Sequence, residues 1–295
     1  MTLPRRFSRP SLLIVGCGDV GLRVLPLLRG RWQVFALSSS PARAPLLRAA
    51  GAVPLLGNLD DPATLGRLAW LADAVLHLAP PPNHGRQDPR TAALLAALAR
   101  GGRVRRFVYA STTGVYGDCQ GARIDETTMP APTTDRAWRR VDAETRVRLR
   151  GRAGGVQTAI LRIPGIYAPG REGGDPRERV RRGMPALRAE DDVYTNHIHA
   201  DDLARACVAA LVRARPQRVI NVVDDTELKM GDYLDLVARL SGLPPVPRLS
   251  RAEAAASLSP MTLSFMSESR RIGNERLKRD LRFVLRHPTV ADGIG

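Results

Sequence analysis

The sequence is short of the residues that mark several functional classes. Its three cysteines, Cys17, Cys119 and Cys207, lie far apart and form no Cys-x-x-Cys pair, so neither a disulfide framework nor a cysteine-based zinc site is indicated. Aromatic residues make up only 4% of the chain, which leaves few platforms on which single-stranded bases could stack. These shortages argue against a disulfide-stabilised protein, a zinc finger and a single-strand-binding protein.

Long apolar runs are also missing. None approaches the roughly 20 residues that a membrane-spanning helix needs. The apolar stretch that follows Arg5 and Arg6 is interrupted at Asp19, before it reaches the roughly 7 to 15 residues of a signal-peptide core. We therefore expect a cytoplasmic protein with no membrane partner.

Lysine is scarce although the chain is strongly basic. Lys229 and Lys278 are the only lysines, and arginine supplies nearly all of the positive charge behind the formal net charge of +16. Because the arginines are scattered over the whole chain, the charge is interpreted as a basic surface that attracts anions. We expect no specific nucleic-acid partner.

Short apolar runs alternate with segments of helical periodicity. Strands separated by helices of ordinary length form parallel βαβ units. The 295-residue chain is therefore predicted to be an α/β protein with a Rossmann-type doubly wound parallel sheet. Residues 1–165 are predicted to form the dinucleotide-binding domain, and residues 166–295 the remaining sheet elements and a small, interleaved substrate-binding lobe. The predicted strands are 11–15, 33–37, 53–56, 74–78, 106–110, 158–163 and 219–223, and the predicted helices are 20–29, 45–50, 62–71, 91–100, 136–150 and 201–213.

A glycine-rich turn stands between the first predicted strand and the first predicted helix. In the pattern Gly-x-Gly-x-x-Gly the first glycine allows a tight turn, the second lets the backbone approach a pyrophosphate, and the third lets the helix pack on the strand. The positive end of the helix then faces the phosphates. A purely structural turn is the alternative, but the flanking elements favour a nucleotide site. The predicted cofactor contacts here are Gly16, Gly18, Asp19, Val20 and Gly21.

The end of the second predicted strand bears on the choice of cofactor. An acid at this point would bind the ribose 2′-hydroxyl of NAD, but the chain has Ser38, Ser39 and Ser40 followed by Arg43, with no acid. Hydroxyl groups and a guanidinium suit a 2′-phosphate, so NADP(H) is preferred over NAD(H). The serines would also suit an ordinary solvated loop.

Further segments follow in an order that resembles the NAD-dependent epimerase/dehydratase family, the extended short-chain dehydrogenase/reductases. The resemblance covers nearly the whole chain, with Asn58 where the family usually has Asp. It implies further cofactor contacts and leaves a homodimer open. The segments are 57–60, 77–79, 111–117, 161–171, 197–202, 221–224 and 271–274, and the implied contacts are Asn58, Leu59, Leu78, Ala79, Pro80 and Ser111.

The family's Tyr-x-x-x-Lys motif is absent. In the family the Tyr exchanges a proton during hydride transfer and the Lys holds the nicotinamide ribose. When Glu144 is matched to the acid that normally follows the motif, Arg136 takes the Tyr position and Arg140 the Lys position. Arg140 can bind ribose hydroxyls, whereas Arg136 cannot act as an ordinary acid/base because a guanidinium does not deprotonate in proteins. A solvated helix face, shared with Arg139, is the alternative interpretation.

The resemblance also implies residues around the substrate. Thr112 falls at the catalytic Ser/Thr position, so the predicted catalytic set is Thr112, Arg136 and Arg140. Tyr116, which a core-edge position would explain equally well, is a predicted substrate contact, as are Tyr167 and Arg171. A solvated basic face is the alternative role for Arg171.

Two histidines flank an isoleucine in a strand-like run. His197 and His199 would share one face of this strand, which invites a metal site. Because neither a cysteine nor a further histidine is near in sequence, we expect core histidines and no metal.

The sequence leaves three hypotheses about function. The leading hypothesis is an NAD(P)-binding oxidoreductase or epimerase/dehydratase-like enzyme with non-standard catalytic residues and a small polar or anionic substrate. The alternative is an NADP(H)-binding sensor or regulatory protein that has lost hydride chemistry. A nucleic-acid-associated Rossmann protein is a third, separable by salt-dependent binding.

Overall fold

The computed structural model describes residues 9–294, so Arg5 and Arg6 lie outside the described residues. Strands and helices alternate over the first half of the chain, as the apolar pattern predicts. The strands are β1 Ser11–Val15, β2 Gln33–Ser38, β3 Val53–Leu56, β4 Ala74–His77, β5 Arg106–Thr112, β6 Arg123–Ile124, β7 Gln157–Ile163, β8 Gly165–Tyr167, β9 Ala186–Leu187, β10 Tyr194–Thr195, β11 His197–His199, β12 Arg218–Asn221, β13 Leu228–Lys229, β14 Arg248–Leu249 and β15 Arg271–Ile272.

The helices connect these strands and extend through the second half of the chain. The α-helices are α1 Asp19–Leu28, α2 Ala44–Ala49, α3 Pro89–Ala99, α4 Asp135–Gly154, α5 Pro176–Arg181, α6 Ala200–Arg213, α7 Met230–Leu240, α8 Arg251–Ser257, α9 Pro260–Phe265, α10 Glu275–Asp280 and α11 Val290–Ile294, and the 3-10 helices are Pro41–Arg43, Pro62–Trp70 and Thr113–Tyr116. Among residues 9–294, no helix has the length and apolar character that crossing a membrane requires.

One predicted helix differs in type. The segment predicted as a helix over 62–71 forms the 3-10 helix Pro62–Trp70. The hydroxyl of Thr64 donates to the carbonyl oxygens of Asn58 and Asp61 at 3.2 and 2.7 Å. Such local bonds from a threonine compete with regular helical bonding in a first turn.

Seven strands form the central sheet, in the order β12-β7-β5-β4-β1-β2-β3. β1 runs parallel to β2 and β4, β2 to β3, and β4 to β5. The order reverses at β1, because β2 and β3 extend to one side while β4 and β5 extend to the other. In doubly wound folds such a switch point opens a crevice beyond the carboxyl ends of the strands. The predicted Rossmann-type fold is confirmed.

The chain divides into two compact units. The first comprises the described residues up to Ala110 together with Asp142–Ile160 and Cys207–Arg218. It is built around β1, whose five residues are all buried. The second comprises Ser111–Val141, Leu161–Ala206 and the described residues from Val219 onward. One apolar cluster of this unit contains Tyr167, Leu187, Leu234, Val237 and Val290.

Candidate functional site

Two glycines of the 16–21 turn lie where the first unit leaves little room for a side chain. Gly16 has a φ of +83°, and a Cβ at this position would lie 2.5 Å from the backbone nitrogen of Ala79. A Cβ on Gly21 would lie 3.0 Å from Sγ of Cys17. Any side chain at Gly16 would therefore strain the backbone and collide with the residue after β4.

Gly18, in contrast, has room for a side chain. A Cβ built on Gly18 would find no atom of the described residues within 4 Å. The Gly18 nitrogen donates to the Gly16 carbonyl at 2.9 Å, and α1 begins at the next residue, Asp19. Packing therefore does not require a glycine here, and the bare backbone at a helix N-terminus is the surface against which a pyrophosphate can lie.

A cleft of about 520 Å³ extends from this turn along the ends of the first four strands. Most of the predicted cofactor residues line it: Gly16, Gly18, Ser38, Ser39, Arg43, Asn58, Leu59, Leu78, Ala79 and Pro80. Four others are not among its lining residues. Asp19 pairs with Arg23 at 3.1 Å, Val20 and Gly21 belong to α1, and Ser111 is buried near the end of β5.

The Arg43 side chain reaches from the segment after β2 to the glycine turn. Its Nη2 donates to the Cys17 carbonyl oxygen at 2.8 Å. Ser38 Oγ donates to the Ser40 carbonyl oxygen at 3.1 Å, which tightens the serine segment. A guanidinium and serine hydroxyls therefore stand at the rim of the cleft, where the ribose bound by β2 is found in this fold.

Two charged residues of the cleft were missed by the sequence reasoning. Arg90, in α3, forms a bidentate pair with Asp60, with Nε and Nη2 at 2.7 and 2.6 Å from the two carboxylate oxygens. Its Nη1 also donates to the Pro80 carbonyl oxygen at 3.2 Å. The hydrogen bonds from Arg90 lower the pKa of Asp60. Arg90 thus joins the segments that follow β3 and β4, a link between residues distant in sequence that no local pattern indicates.

In the second unit, Thr112 ends β5 and caps a 3-10 turn. Its Oγ1 accepts a hydrogen bond from the Gly114 nitrogen at 3.2 Å, and the side chain is half-buried. The hydroxyl proton of a threonine can still be donated while its oxygen accepts. The capping bond therefore leaves the predicted role of Thr112 as a donor chemically feasible.

Both predicted tyrosine contacts lie in the interior of the second unit. Tyr116 is 1% exposed, its hydroxyl donates to Asn221 Oδ1 at 2.7 Å, and burial raises its pKa. Tyr167 is 2% exposed and donates to the Thr289 carbonyl oxygen at 3.2 Å. Both rings act as packing residues here, and the substrate role of the two tyrosines stays a prediction.

The arginines of α4 differ from one another in exposure. Arg136 is exposed and its guanidinium carbon lies 4.6 Å above the Phe265 ring, Arg140 is half-buried, and Arg139 is 7% exposed. The interpretation of Arg139 as part of a solvated face is therefore wrong, because this residue borders the buried stripe that includes Ala137 and Ala143.

Several charged side chains lie near Arg136. Desolvation of its guanidinium lowers the pKa of Arg136, and nearby arginines add to this effect while Glu268 opposes it. Glu268 itself accepts from Arg270 at 2.7 Å and from Thr133 at 3.1 Å. Several guanidinium groups therefore lie near one another here, an arrangement that favours an anion.

The remaining predicted residues of this unit make contacts within it, and the substrate role of Arg171 stays a prediction. Arg171 donates from Nη1 to the Ile166 carbonyl oxygen at 3.1 Å. His197 stacks on Tyr233 with ring centroids 3.9 Å apart, and burial lowers its pKa to about 3. His197 is thus a neutral core histidine at physiological pH, as expected, and His199 is buried as well.

The sequence model of the NAD dependent epimerase/dehydratase family matches residues 12–222. The chain belongs to this family. It is 29% identical to Protein YeeZ of Escherichia coli K12 over 244 residues, which cover 80% of this chain and 85% of YeeZ. A functionally unknown conserved protein from Silicibacter pomeroyi has a similar structure, with 32% identity, a TM-score of 0.80 and coverage of 97% and 96% of the two chains.

Structures of lower identity share the fold. The UDP-glucose 4-epimerase of Thermotoga maritima, solved with UDP-glucose, has 19% identity and a TM-score of 0.77 over 96% of both chains. Family membership makes this an NAD(P)-binding type of protein, and the glycine turn, with open space beside Gly18, fits such a cofactor.

Proposed function

We propose that this protein is an NADP(H)-preferring oxidoreductase or epimerase/dehydratase-type enzyme that acts on a small polar or anionic substrate. The observation that carries the proposal is the pair of glycines in the first unit. Gly16 is demanded by backbone geometry and by Ala79, whereas the position of a Gly18 side chain is open space beside a cleft. The fold alone explains why residue 16 is glycine. A bound pyrophosphate explains why residue 18 is glycine.

Arg43 and the serines support the preference for NADP(H). A 2′-phosphate carries charge that a guanidinium binds strongly through charge-assisted hydrogen bonds. Arg43 stands at the rim of the cleft with one nitrogen on the Cys17 carbonyl oxygen. Ser38 and Ser39 line the same cleft, and the Ser39 hydroxyl can add a donor to the phosphate oxygens.

The chain's own residues are proposed to bind and polarise rather than to exchange a proton. When bound, the cofactor supplies the acceptor or donor of a hydride. From the match to the family motifs, Arg140 takes the part of the ribose-binding lysine and Thr112 donates a hydrogen bond to a substrate oxygen. Arg136 holds an anionic group or stabilises developing negative charge. Proton exchange is then left to water or to the substrate itself.

The surroundings of Arg136 favour an anionic substrate. Arg139, Arg140 and Arg270 all contribute positive potential at Arg136, with Glu268 as the opposing charge. The phosphates of a sugar nucleotide, such as the UDP-glucose bound by the Thermotoga maritima epimerase, are one ligand class with this charge.

One observation favours a sensor as the second candidate. No tyrosine in the sequence is followed four residues later by lysine, and the tyrosines at 116 and 167 are buried with their hydroxyls engaged. A protein that keeps the cofactor cleft without a proton-exchanging tyrosine could report the nicotinamide redox state. Turnover of NADPH or NADP⁺ in a screen of carbonyl and sugar-nucleotide substrates supports the enzyme, and tight binding without turnover supports the sensor.

Calorimetric titration of the purified protein with NADPH and with NADH tests the cofactor assignment. We expect tighter binding of NADPH, and we expect Arg43→Ala to remove about 1 to 3 kcal/mol of NADPH binding while changing NADH binding little, because only NADPH offers the 2′-phosphate. Arg48→Ala, at an exposed position of α2, is the matched control. Equal affinities, or equal losses for both cofactors in Arg43→Ala, would refute the preference.

A further inference from the structure

Three ligand-type side chains meet in the second unit, outside the residues assigned above. The potential ligand atoms of His199, Asp201 and His287 all lie within 4.8 Å of one another. His199 ends β11, Asp201 lies in the first turn of α6, and His287 follows α10 in the C-terminal segment. Folding therefore brings His287 to two side chains, those of His199 and Asp201, that are far from it in sequence.

The two imidazoles are held together by packing. Their ring centroids are 3.8 Å apart with the planes tilted by 36°, and Tyr167 packs edge-on against His199 at 5.4 Å. The buried carboxylate of Asp202 fixes the backbone of the C-terminal segment, because it accepts from the nitrogen of His287 at 2.8 Å and from that of Arg286 at 3.0 Å. The position of His287 therefore does not depend on its own ring contacts.

The ring of His287 has an orienting partner. Its Nδ1 lies 3.2 Å from the Asp292 carbonyl oxygen, and since a carbonyl oxygen can only accept, Nδ1 carries the proton. The neutral ring then has its lone pair on Nε2. Histidines that bind metals commonly donate their other ring N–H to a backbone carbonyl or carboxylate in this way.

We propose that His199, Asp201 and His287 bind a divalent transition metal ion of the zinc type. Two imidazole nitrogens and one carboxylate oxygen are ligands that such ions prefer. His199 is buried, while Asp201 and His287 are partly exposed, so solvent can reach the ion and complete its coordination. Bound there, the metal would tie the C-terminal segment to β11 and α6.

The geometry also indicates the strength of binding. Tetrahedral zinc with bonds of about 2.0 to 2.1 Å needs ligand atoms about 3.3 Å apart, whereas these atoms lie up to 4.8 Å apart. Side-chain rotation must therefore close the site, and Nδ1 of His199 must give up the hydrogen bond that it accepts from the Asp201 nitrogen at 3.2 Å. Both this loss and the ordering of three side chains reduce the affinity. We expect a reversible site rather than a permanently loaded structural zinc.

Titration of the chelator-treated full-length protein with Zn²⁺, followed by calorimetry, tests the proposal. We expect one equivalent to bind, and we expect His287→Gln to weaken binding at least about tenfold, the lower bound seen even for loss of an orienting partner. His84→Gln, which removes an exposed histidine of the first unit, should leave the affinity unchanged. Co²⁺ in place of Zn²⁺ should give the visible absorption of a nitrogen- and oxygen-liganded ion.

The design separates loss of a ligand from loss of the fold. Far-UV circular dichroism and the melting temperature without metal establish that His287→Gln is folded, and Asp201→Asn provides a second variant from another element. If the wild type binds no saturating equivalent, or if both folded variants bind Zn²⁺ as tightly as the wild type, the metal site is refuted. Neither result bears on the NADP(H) cleft, whose residues belong to the first unit.

Discussion

The sequence predicts the candidate cofactor cleft of the first unit better than it predicts the surroundings of the candidate site residues of the second unit. In the first unit, Gly16, Gly18, Ser38, Ser39 and Arg43 line one cleft, and their part in cofactor binding stays a prediction. In the second unit, Tyr116 and Tyr167 are buried packing residues. The comparison teaches that short motifs predict which residues share a cleft where backbone geometry places them, whereas the place of a side chain such as Tyr116 depends on packing that a motif does not encode.

The largest expected effect separates the two kinds of glycine in the turn. Gly16→Val places a side chain at a φ of +83° and 2.5 Å from the Ala79 backbone nitrogen. We expect it to lower the free energy of unfolding by about 2 to 6 kcal/mol, from backbone strain and overpacking together. Chemical denaturation with wild-type protein as reference measures this loss. A stable Gly16→Val protein would show that the turn is not held against Ala79.

The second prediction concerns the arginines that replace the family's Tyr-x-x-x-Lys. Arg140→Ala should weaken NADPH binding by about 1 to 3 kcal/mol, as expected for loss of charged hydrogen bonds. Arg136→Ala should instead affect turnover or substrate binding more than cofactor binding. Arg152→Ala, at an exposed position in the last turn of the same helix, is the control for a general change of charge. If Arg140→Ala and Arg152→Ala both bind NADPH with wild-type affinity, Arg140 is not a cofactor-binding residue.

The smallest expected effect is the pH-dependent contribution of Asp73, at the opposite end of the sheet, to the free energy of unfolding. Burial raises the pKa of Asp73, but hydrogen bonds from Arg103 and Ser11 outweigh this and lower it from 3.8 to about 2. Because the pKa of Asp73 is lower in the folded state, its ionised carboxylate stabilises the fold at pH values above the unfolded pKa of 3.8. This stabilisation is lost as the pH falls through about 2. Because both Asp73 and Arg103 are substantially exposed, Asp73→Asn should cost no more than about 1 kcal/mol at pH 7.

Denaturation curves at several pH values check this term. The stability difference between the wild type and Asp73→Asn should be complete at pH 7, shrink below about pH 4 and vanish near pH 2. A difference that is independent of pH would mean that Asp73 acts through shape rather than charge.

The parts of the fold that the sequence predicts are those with local causes. The alternation of apolar runs predicts the strands from β1 to β5, and the glycine spacing predicts the start of α1, because both patterns follow from backbone geometry. Serines after β2 and the family motifs locate most of the cleft. These features need no knowledge of which distant segments meet.

The residues that sequence reasoning misses have distant partners. Arg90 meets Asp60 and Pro80 only after α3 packs in place. His287 joins His199 and Asp201 only when the C-terminal segment reaches β11, which is why the histidine pair of that strand indicated core residues and no metal. The burial of Arg139 likewise depends on which stripe of α4 faces inward. Tertiary packing decides each of these outcomes.

Titration of Gly18→Val with NADPH tests the central claim most directly. Since a Cβ at Gly18 would meet no described atom within 4 Å, the variant should fold with nearly wild-type stability, in contrast to Gly16→Val. Its side chain would occupy the approach of the pyrophosphate, so binding of both NADPH and NADH should be lost. A folded Gly18→Val protein that binds NADPH with wild-type affinity would contradict the assignment of this cleft as the dinucleotide site.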